Sequence, residues 1–216
     1  MRQPERCCMI WDQRYASPDY VYGTQPNEFL AETIRGLSAG GRALCLAEGE
    51  GRNAVFLARQ GYEAHAVDAS AVGLAKAERL ARERGVHIVT EVNNLDGYRI
   101  DPDAWDLIVS IFCHLPAAVR RTLHREVVAG LCPGGHFVLE AYTPAQLALG
   151  TGGPPDAALM MTLAELREEL AGLHFEQARE IERDVREGRL HTGRGAVVQL
   201  IARKPLRPLG DPAEQS

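Results

Sequence analysis

The sequence predicts an α/β fold, a doubly wound and mostly parallel seven-stranded sheet that ends in an antiparallel β-hairpin. Three observations carry this. Short apolar runs alternate with helical patterns five times between Leu44 and Glu140. One of those runs, Trp105-Asp106-Leu107-Ile108-Val109-Ser110-Ile111-Phe112, is nearly all apolar, the pattern of a strand covered by helices on both faces. Beyond His174, two β-leaning runs follow each other with no helix between them and so must pair antiparallel.

The bulk properties bound the function. A chain of 216 residues that is 45% hydrophobic suffices for one domain with a full core. We place that domain at residues 1–204, with 1–40 as a helical lid or edge segment and 205–216 as a flexible tail rich in Pro and polar groups. A net charge of −5 without a long basic run argues against nucleic acid as the main partner and for a small molecule. The five cysteines are odd in number, lack CxxC spacing and mostly sit in apolar runs, which reads as reduced thiols in a cytoplasm. No charged and apolar leader opens the chain, and no apolar run approaches bilayer length, so no membrane is expected. The expected assembly is a monomer or weak homodimer.

In chain order, Trp11 and Tyr15 fall four apart and share one face of a short helix. Thr24 or Gln25 can cap a second helix with Pro26 in its first turn, and Phe29, Leu30, Ile34 and Leu37 recur at helical spacing. Gly40-Gly41 ends that segment before the first strand. A helix over Asn53–Gln60 stops at Gly61, Ser70 caps a helix over Ala71–Arg84, and Gly85 turns into a strand over Val86–Val92. Pro116 starts the helix that carries Leu123, Val127, Val128 and Leu131, and Pro133-Gly134-Gly135 turns into strand His136–Glu140. Residues 150–155 form a flexible insertion, and Thr162 with Glu165 forms a capping box for a helix to about Ala171. The closing hairpin pairs His174–Val185 with Ala196–Arg203 through a connection holding Gly188 and Gly193-Arg194-Gly195.

The chain is organised around Leu44-Cys45-Leu46-Ala47-Glu48-Gly49-Glu50-Gly51-Arg52, where a strand breaks into glycines and enters a helix. Glycines there let backbone approach a ligand where a Cβ would clash, and the helix start presents free N–H groups. Asp68 closes the next apolar run, at the separation where an acid can take both hydroxyls of an adenosyl ribose. Gly49-x-Gly51-x-x-Ala54 also fits a dinucleotide fingerprint, which leaves an NAD(P)-dependent oxidoreductase as an alternative. Glu48 and Glu50 flank the glycines, however, and would repel a pyrophosphate while favouring a cationic ligand.

Five motifs in register, namely the Leu44–Arg52 loop, Asp68, Asn94-Leu95, the Asp106–Phe112 strand and Leu131-Cys132-Pro133-Gly134-Gly135, resemble those of class I S-adenosylmethionine-dependent methyltransferases. More narrowly, Trp11-Asp12-x-Arg14-Tyr15, Tyr22-Gly23-Thr24-x-Pro26-Asn27 and Glu48-Gly49-Glu50-Gly51-Arg52-Asn53 resemble the small-molecule branch related to tellurite- and thiopurine-type enzymes. The resemblance implies a Rossmann-like fold and S-adenosyl-L-methionine as cofactor. It implies that the cofactor lies against Trp11, Tyr22, Ala47, Glu48, Gly49, Gly51, Arg52, Asp68, Asn94, Leu95 and Ser110. It further implies methyl transfer to a small molecule, a soft nucleophile such as a thiol or chalcogen oxyanion that needs no strong base. Two departures stand out. Cys45 replaces the usual acid, with Glu48 as the nearest replacement counter-charge, and Ala47 replaces a glycine. His114 and Tyr142, each just past a strand, and His191 in the terminal hairpin are the candidate catalytic residues. A non-catalytic cofactor sensor or scaffold on the same fold is the remaining alternative.

Overall fold

The structure, a computed structural model, describes residues 10–188 and 191–207. Residues 10–15 are helical and are taken as α1. There follow α2 (Glu28–Gly36), β1 (Arg42–Leu46), α3 (Arg52–Arg59), β2 (Glu63–Asp68), α4 (Ala71–Glu83), β3 (Val89–Val92), β4 (Trp105–Ile111), α5 (Ala117–Gly130) and β5 (Leu131–Tyr142). The chain continues through α6 (Gln146–Leu149), a 3-10 turn at Ala157–Leu159, α7 (Leu163–Glu169), β6 (His174–Glu187) and β7 (His191–Arg203).

The seven strands lie in the order β3-β2-β1-β4-β5-β7-β6, with β1 to β5 parallel and β7 antiparallel to both β5 and β6. Alternate residues feed two cores. Leu44, Leu46 and Ile108 face Leu123 and Val127 of α5 and Leu166 of α7, while Ala43, Cys45 and Val109 face Leu30 of α2, Leu57 of α3 and Leu74 of α4. Helices therefore cover both faces, as the apolar β4 required. The chain order reverses between β1 and β4, and in open α/β sheets that switch point is where ligands bind, outside the carboxyl ends of the strands.

Several expectations are corrected. The cap of α2 is Asn27, whose Oδ1 accepts from the Leu30 N–H at 2.9 Å, so Pro26 precedes the helix instead of lying in its first turn. β3 begins at Val89, three residues late. Pro133-Gly134-Gly135 lies within β5 as an irregularity: pairing with β4 steps from Trp105 opposite Leu131 to Leu107 opposite His136. The 150–155 segment is pinned to the sheet, because Gln146 Nε2 donates to Thr151 Oγ1 at 3.0 Å and Thr151 Oγ1 donates to the Arg194 carbonyl. The hairpin strands are longer than expected, and Gly193–Gly195 belongs to β7. Ser70 and the Thr162/Glu165 capping box stand as expected. Of the tail, residues 208–216 lie outside the described residues.

Candidate functional site

The loop after β1 is built on three left-handed residues, Ala47 (φ 51°), Gly49 (φ 60°) and Gly51 (φ 88°). Glycine takes that conformation freely, whereas alanine at 47 carries a strain of about 1–2 kcal/mol. A Cβ at Gly49 would come 2.5 Å from the Tyr15 hydroxyl oxygen, and one at Gly51 would overlap Ala77 of α4. Both glycines are there for close approach.

The loop's donors are already assigned. Gly49 N–H donates to Asp68 Oδ2 at 2.9 Å, and the N–H groups of Asn53 and Ala54 both donate to Glu48 Oε1 at 2.8 Å. Glu48 thus holds the start of α3 through Oε1. Its carboxylate takes up the Asn53 and Ala54 N–H groups that would otherwise face a phosphate, which disfavours the dinucleotide reading. Burial pushes the Glu48 carboxyl from 4.5 up to about 7, against the pull of those two backbone bonds and of Arg52. Cys45 is fully buried in the α2–α4 core, where burial raises its thiol well above the ordinary range, so it contributes no charge.

Asp68 ends β2 with 7% of its surface exposed. Its Oδ1 accepts from the Ser70 N–H at 2.8 Å and its Oδ2 from Gly49, so one carboxylate fixes both the glycine loop and the start of α4. Burial raises its carboxyl, opposed by those bonds. The Asn93 N–H donates to the Asp68 carbonyl, Asn94 Oδ1 accepts from the Asp96 N–H, and Leu95 packs into the α5 core. Ser110, buried near the end of β4, stands opposite Leu46. The structure therefore gathers Ala47, Gly49, Gly51, Asp68, Asn94, Leu95 and Ser110 along one sheet edge.

The N-terminal segment closes over this edge. Trp11 stacks on Tyr15 at 5.7 Å, Tyr22 meets Tyr15 edge-on at 6.3 Å, and the Tyr15 ring lies against Gly49 and Gly73. Two residues that the sequence reading did not assign hold the segment down. Glu50 accepts from the Val21 and Tyr22 N–H groups at 2.7 and 3.2 Å and pairs with Lys76. Lys76 in turn donates to the carbonyls of Tyr15, Ser17 and Asp19. Both side chains are buried. A Lys on a helix has no local signature of such a role.

On the β5 side, Tyr142 is 1% exposed and packs against Phe112 (4.7 Å) and His114 (5.7 Å) as a wall. His114 lies 3.1 Å through Nδ1 from the Leu159 carbonyl, and burial pushes its imidazole down to about 4, so it is a neutral, positioned ring. Behind the wall runs a polar network unseen in the sequence. Asn27 Nδ2 donates to Glu140 and Glu187, Arg183 donates to both acids, and Arg52 Nη2 donates to Glu187 Oε2 at 2.5 Å. Because β6 runs parallel to the central strands, its end at Glu187 reaches the cofactor edge, and Gly188 packs so closely on Val21 and Tyr22 that a Cβ there would overlap them. His191 begins β7 opposite Glu187 in register, which brings its backbone to this edge, and its side chain lies outside the described residues.

A doubly wound sheet with a glycine loop, an acid ending β2 and a reversed terminal hairpin is the architecture shared with solved S-adenosylmethionine-dependent methyltransferases. The chemistry of the site is compatible with that cofactor: the buried Asp68 carboxylate ends β2 beside the glycine loop at the carboxyl edge of the sheet. Residues 43–135 match the family described as a methyltransferase domain. A 2-heptyl-1-hydroxyquinolin-4(1H)-one methyltransferase of Mycobacteroides abscessus is 27% identical over 148 residues, which are 66% of this chain and 64% of that enzyme. The match thus spans less than two thirds of that relative's length. Among solved structures, one described for the conversion of a disulfide bond into a thioacetal group during echinomycin biosynthesis superposes with a TM-score of 0.73 at 19% identity, over 96% of this chain and 94% of that one. An S-adenosylmethionine-dependent methyltransferase from Methanosarcina mazei gives 0.66 at 19% identity, over 81% and 98%. Residues 43–135 are thus similar to a methyltransferase domain, and the chain shares the fold of these solved structures. Among the described residues no helix is long and apolar enough to cross a membrane.

Proposed function

We propose that this chain transfers the methyl group of S-adenosylmethionine to a small-molecule acceptor that arrives already nucleophilic, a thiol, a chalcogen oxyanion or a similarly ionised group. The observation that carries this is the state of the wall: His114 has Nδ1 on the Leu159 carbonyl and Nε2 facing the Tyr142 N–H at 3.5 Å, and burial lowers its imidazole to about 4, so it is too weak and too engaged a base to take a proton from a weakly acidic acceptor. When bound, the cofactor supplies a methyl group made electrophilic by its sulfonium, and the chain's part is to position and to exclude water. Asp68 would hold the ribose hydroxyls, and the segment Asn94-Leu95 would meet the adenine. Trp11, Tyr22 and Arg52 would close over the amino-acid end, with Ala47, Gly49, Gly51 and Ser110 as the floor. Phe112, His114 and Tyr142 would wall the acceptor pocket, and His191 would orient the acceptor, with proton removal needed only for an acceptor that arrives un-ionised. Glu48 supports the cradle as the cap of α3.

The mycobacterial relative is named for methylation of a 1-hydroxyquinolinone, which supports a small acceptor and adds hydroxylated heteroaromatics to the candidates. The test is a thermal-shift comparison followed by a methyl-transfer screen. S-adenosylmethionine and S-adenosylhomocysteine should raise the melting temperature while NAD and NADP do not, and transfer should appear with thiols, selenite or hydroxyquinolinones. Stabilisation by NAD alone, or cofactor binding without transfer to any acceptor class, would sink the proposal.

A further inference from the structure

Arg120 in the first turn of α5 and Glu169 at the end of α7 have side chains 2% and 3% exposed. Arg120 Nε lies 3.1 and 3.0 Å from the two Glu169 oxygens and Nη2 lies 2.7 Å from Oε1, while His124 Nδ1 stands 2.7 Å from Oε2. That grip uses one edge of the guanidinium and fixes its plane, so the direction of the remaining nitrogen is set. Nη1 is not spent on the helix pair: it donates to the Met160 carbonyl at 2.9 Å in a buried bond. Met160 belongs to a stretch with little regular structure to hold it, because the 3-10 turn before it is three residues long and neither helix nor strand follows until α7. The place of this stretch is therefore set by what its backbone groups meet. Three consecutive residues meet three partners. The Leu159 carbonyl faces His114 Nδ1 at 3.1 Å, the Met160 carbonyl takes Arg120, and the Met161 N–H donates to the Tyr142 carbonyl at 3.3 Å. The Met160 side chain, itself buried, packs with Tyr142 and Val197, with Phe112 at the margin. Of the three ties the one to Arg120 is made by a full positive charge, which makes it the strongest.

We propose that Arg120 is a positioning residue of the acceptor wall: through the Met160 carbonyl it holds the Leu159–Met161 stretch against Phe112, His114 and Tyr142, and so sets the shape of the pocket and the tautomer of His114. What the wall does rests on the methyltransferase reading above; what Arg120 does rests on the distances alone. Glu169 and His124 orient the guanidinium. Arg120 and His114 stand six residues apart at the junction of β4 and α5 and grip adjacent carbonyls, so losing one grip lets the stretch drift from the other. A lysine ammonium could pair with Glu169, yet it lacks the second, oppositely directed nitrogen that reaches Met160. The ring of His114 reports on the stretch. With a carbonyl at Nδ1 and a backbone N–H at Nε2, it is held as the Nδ1–H tautomer, whereas a histidine ring in water favours Nε2–H.

The experiment reads the His114 ring nitrogens by NMR at pH 7 in the wild type, Arg120→Met, Arg120→Lys and Val127→Ala, with S-adenosylhomocysteine affinity measured by calorimetry on the same proteins. Val127→Ala removes buried carbon from the same helix and leaves the guanidinium bonds in place, so it shows what general loosening of α5 does. The wild type and Val127→Ala should show Nδ1–H, and both Arg120 variants should move to mostly Nε2–H. S-adenosylhomocysteine affinity should stay within about threefold throughout, since Arg120 is not proposed to touch the cofactor. Retention of Nδ1–H in either Arg120 variant, the same change in Val127→Ala, or a wild type already in the Nε2–H form overturns the proposal. A loss of about 10-fold or more in S-adenosylhomocysteine affinity in Arg120→Lys also overturns it, because Arg120 would then support the whole domain. Should Arg120→Met fail to fold because Glu169 is left buried without its cation, Arg120→Lys keeps one there and decides alone. A wild type that binds no S-adenosylhomocysteine at all would instead refute the methyltransferase reading, and the His114 tautomers would still decide the role of Arg120.

Discussion

Glu48→Gln tests the electrostatics of the glycine loop directly. The amide oxygen can still accept from Asn53 and Ala54, so the cap persists while the titration disappears. In the wild type the carboxyl moves from 4.5 in the unfolded chain to about 7 in the folded one. Below 4.5 it is protonated in both states. Between 4.5 and about 7 the unfolded chain releases the proton that the folded chain keeps, so rising pH favours unfolding across that window; above it, both states are ionised and the effect levels off. At about 1.4 kcal/mol per pH unit, the stability lost across the window is about 3 kcal/mol at most. Urea unfolding of both proteins at pH 5, 6, 7 and 8 measures it. The variant should gain on the wild type steadily from pH 5 and reach a plateau near pH 8. A difference that stays flat with pH would refute the claim that Glu48 is buried with a raised carboxyl.

Other outcomes follow from neighbouring residues. Asp68→Ala removes the acceptor for Gly49 and Ser70 and, on the proposed reading, the ribose partner, so S-adenosylhomocysteine affinity should fall by about 30- to 150-fold in calorimetry, and an unchanged constant would leave Asp68 as a helix cap only. Lys76→Met strands the buried Glu50 carboxylate and three carbonyls, and should cost about 3–5 kcal/mol in denaturant unfolding. His191→Ala should leave cofactor affinity within about threefold while slowing methyl transfer by about 10-fold or more; unchanged transfer kinetics would remove His191 from the site.

What could be read from the sequence was local. The strand and helix order, the Ser70 cap and the Thr162 capping box depend on residues within one turn of each other, and each appears where its pattern places it. The Asp68 position was legible because strand, glycine loop and acid are spaced by one βα unit. The cap at Asn27 was missed because Thr24 and Gln25 offer equal local chemistry, and the choice falls to Asn27, which sits in the buried network with Asn53, Glu140 and Glu187. The bulge in β5 escaped because a Pro-Gly-Gly triplet reads as a turn until Lys204 is seen to bridge it, with the Gly134 N–H donating to the Lys204 carbonyl and the Lys204 N–H to the Gly135 carbonyl. Glu50 was read with Glu48 as an acid facing the ligand, whereas it holds Val21, Tyr22 and Lys76, and the role of Lys76 escaped because the carbonyls it binds lie more than fifty residues earlier in the chain.

The bond between Asn27 and Glu187 spans 160 residues, and this sets when the site can exist. At ribosomal rates of roughly 5–20 residues per second, Asn27 waits roughly 8–30 s for its partner to be made. Over that interval α2 has its cap, yet neither the Arg52 anchor nor the seat for Gly188 on Val21 and Tyr22 has been formed. The parallel half of the sheet can therefore collapse first, and the last hairpin closes the pocket from the far end of the chain. The site is the final thing this polypeptide builds, so a nascent chain released before Glu187 would carry the glycine loop and Asp68 without a finished chamber around them.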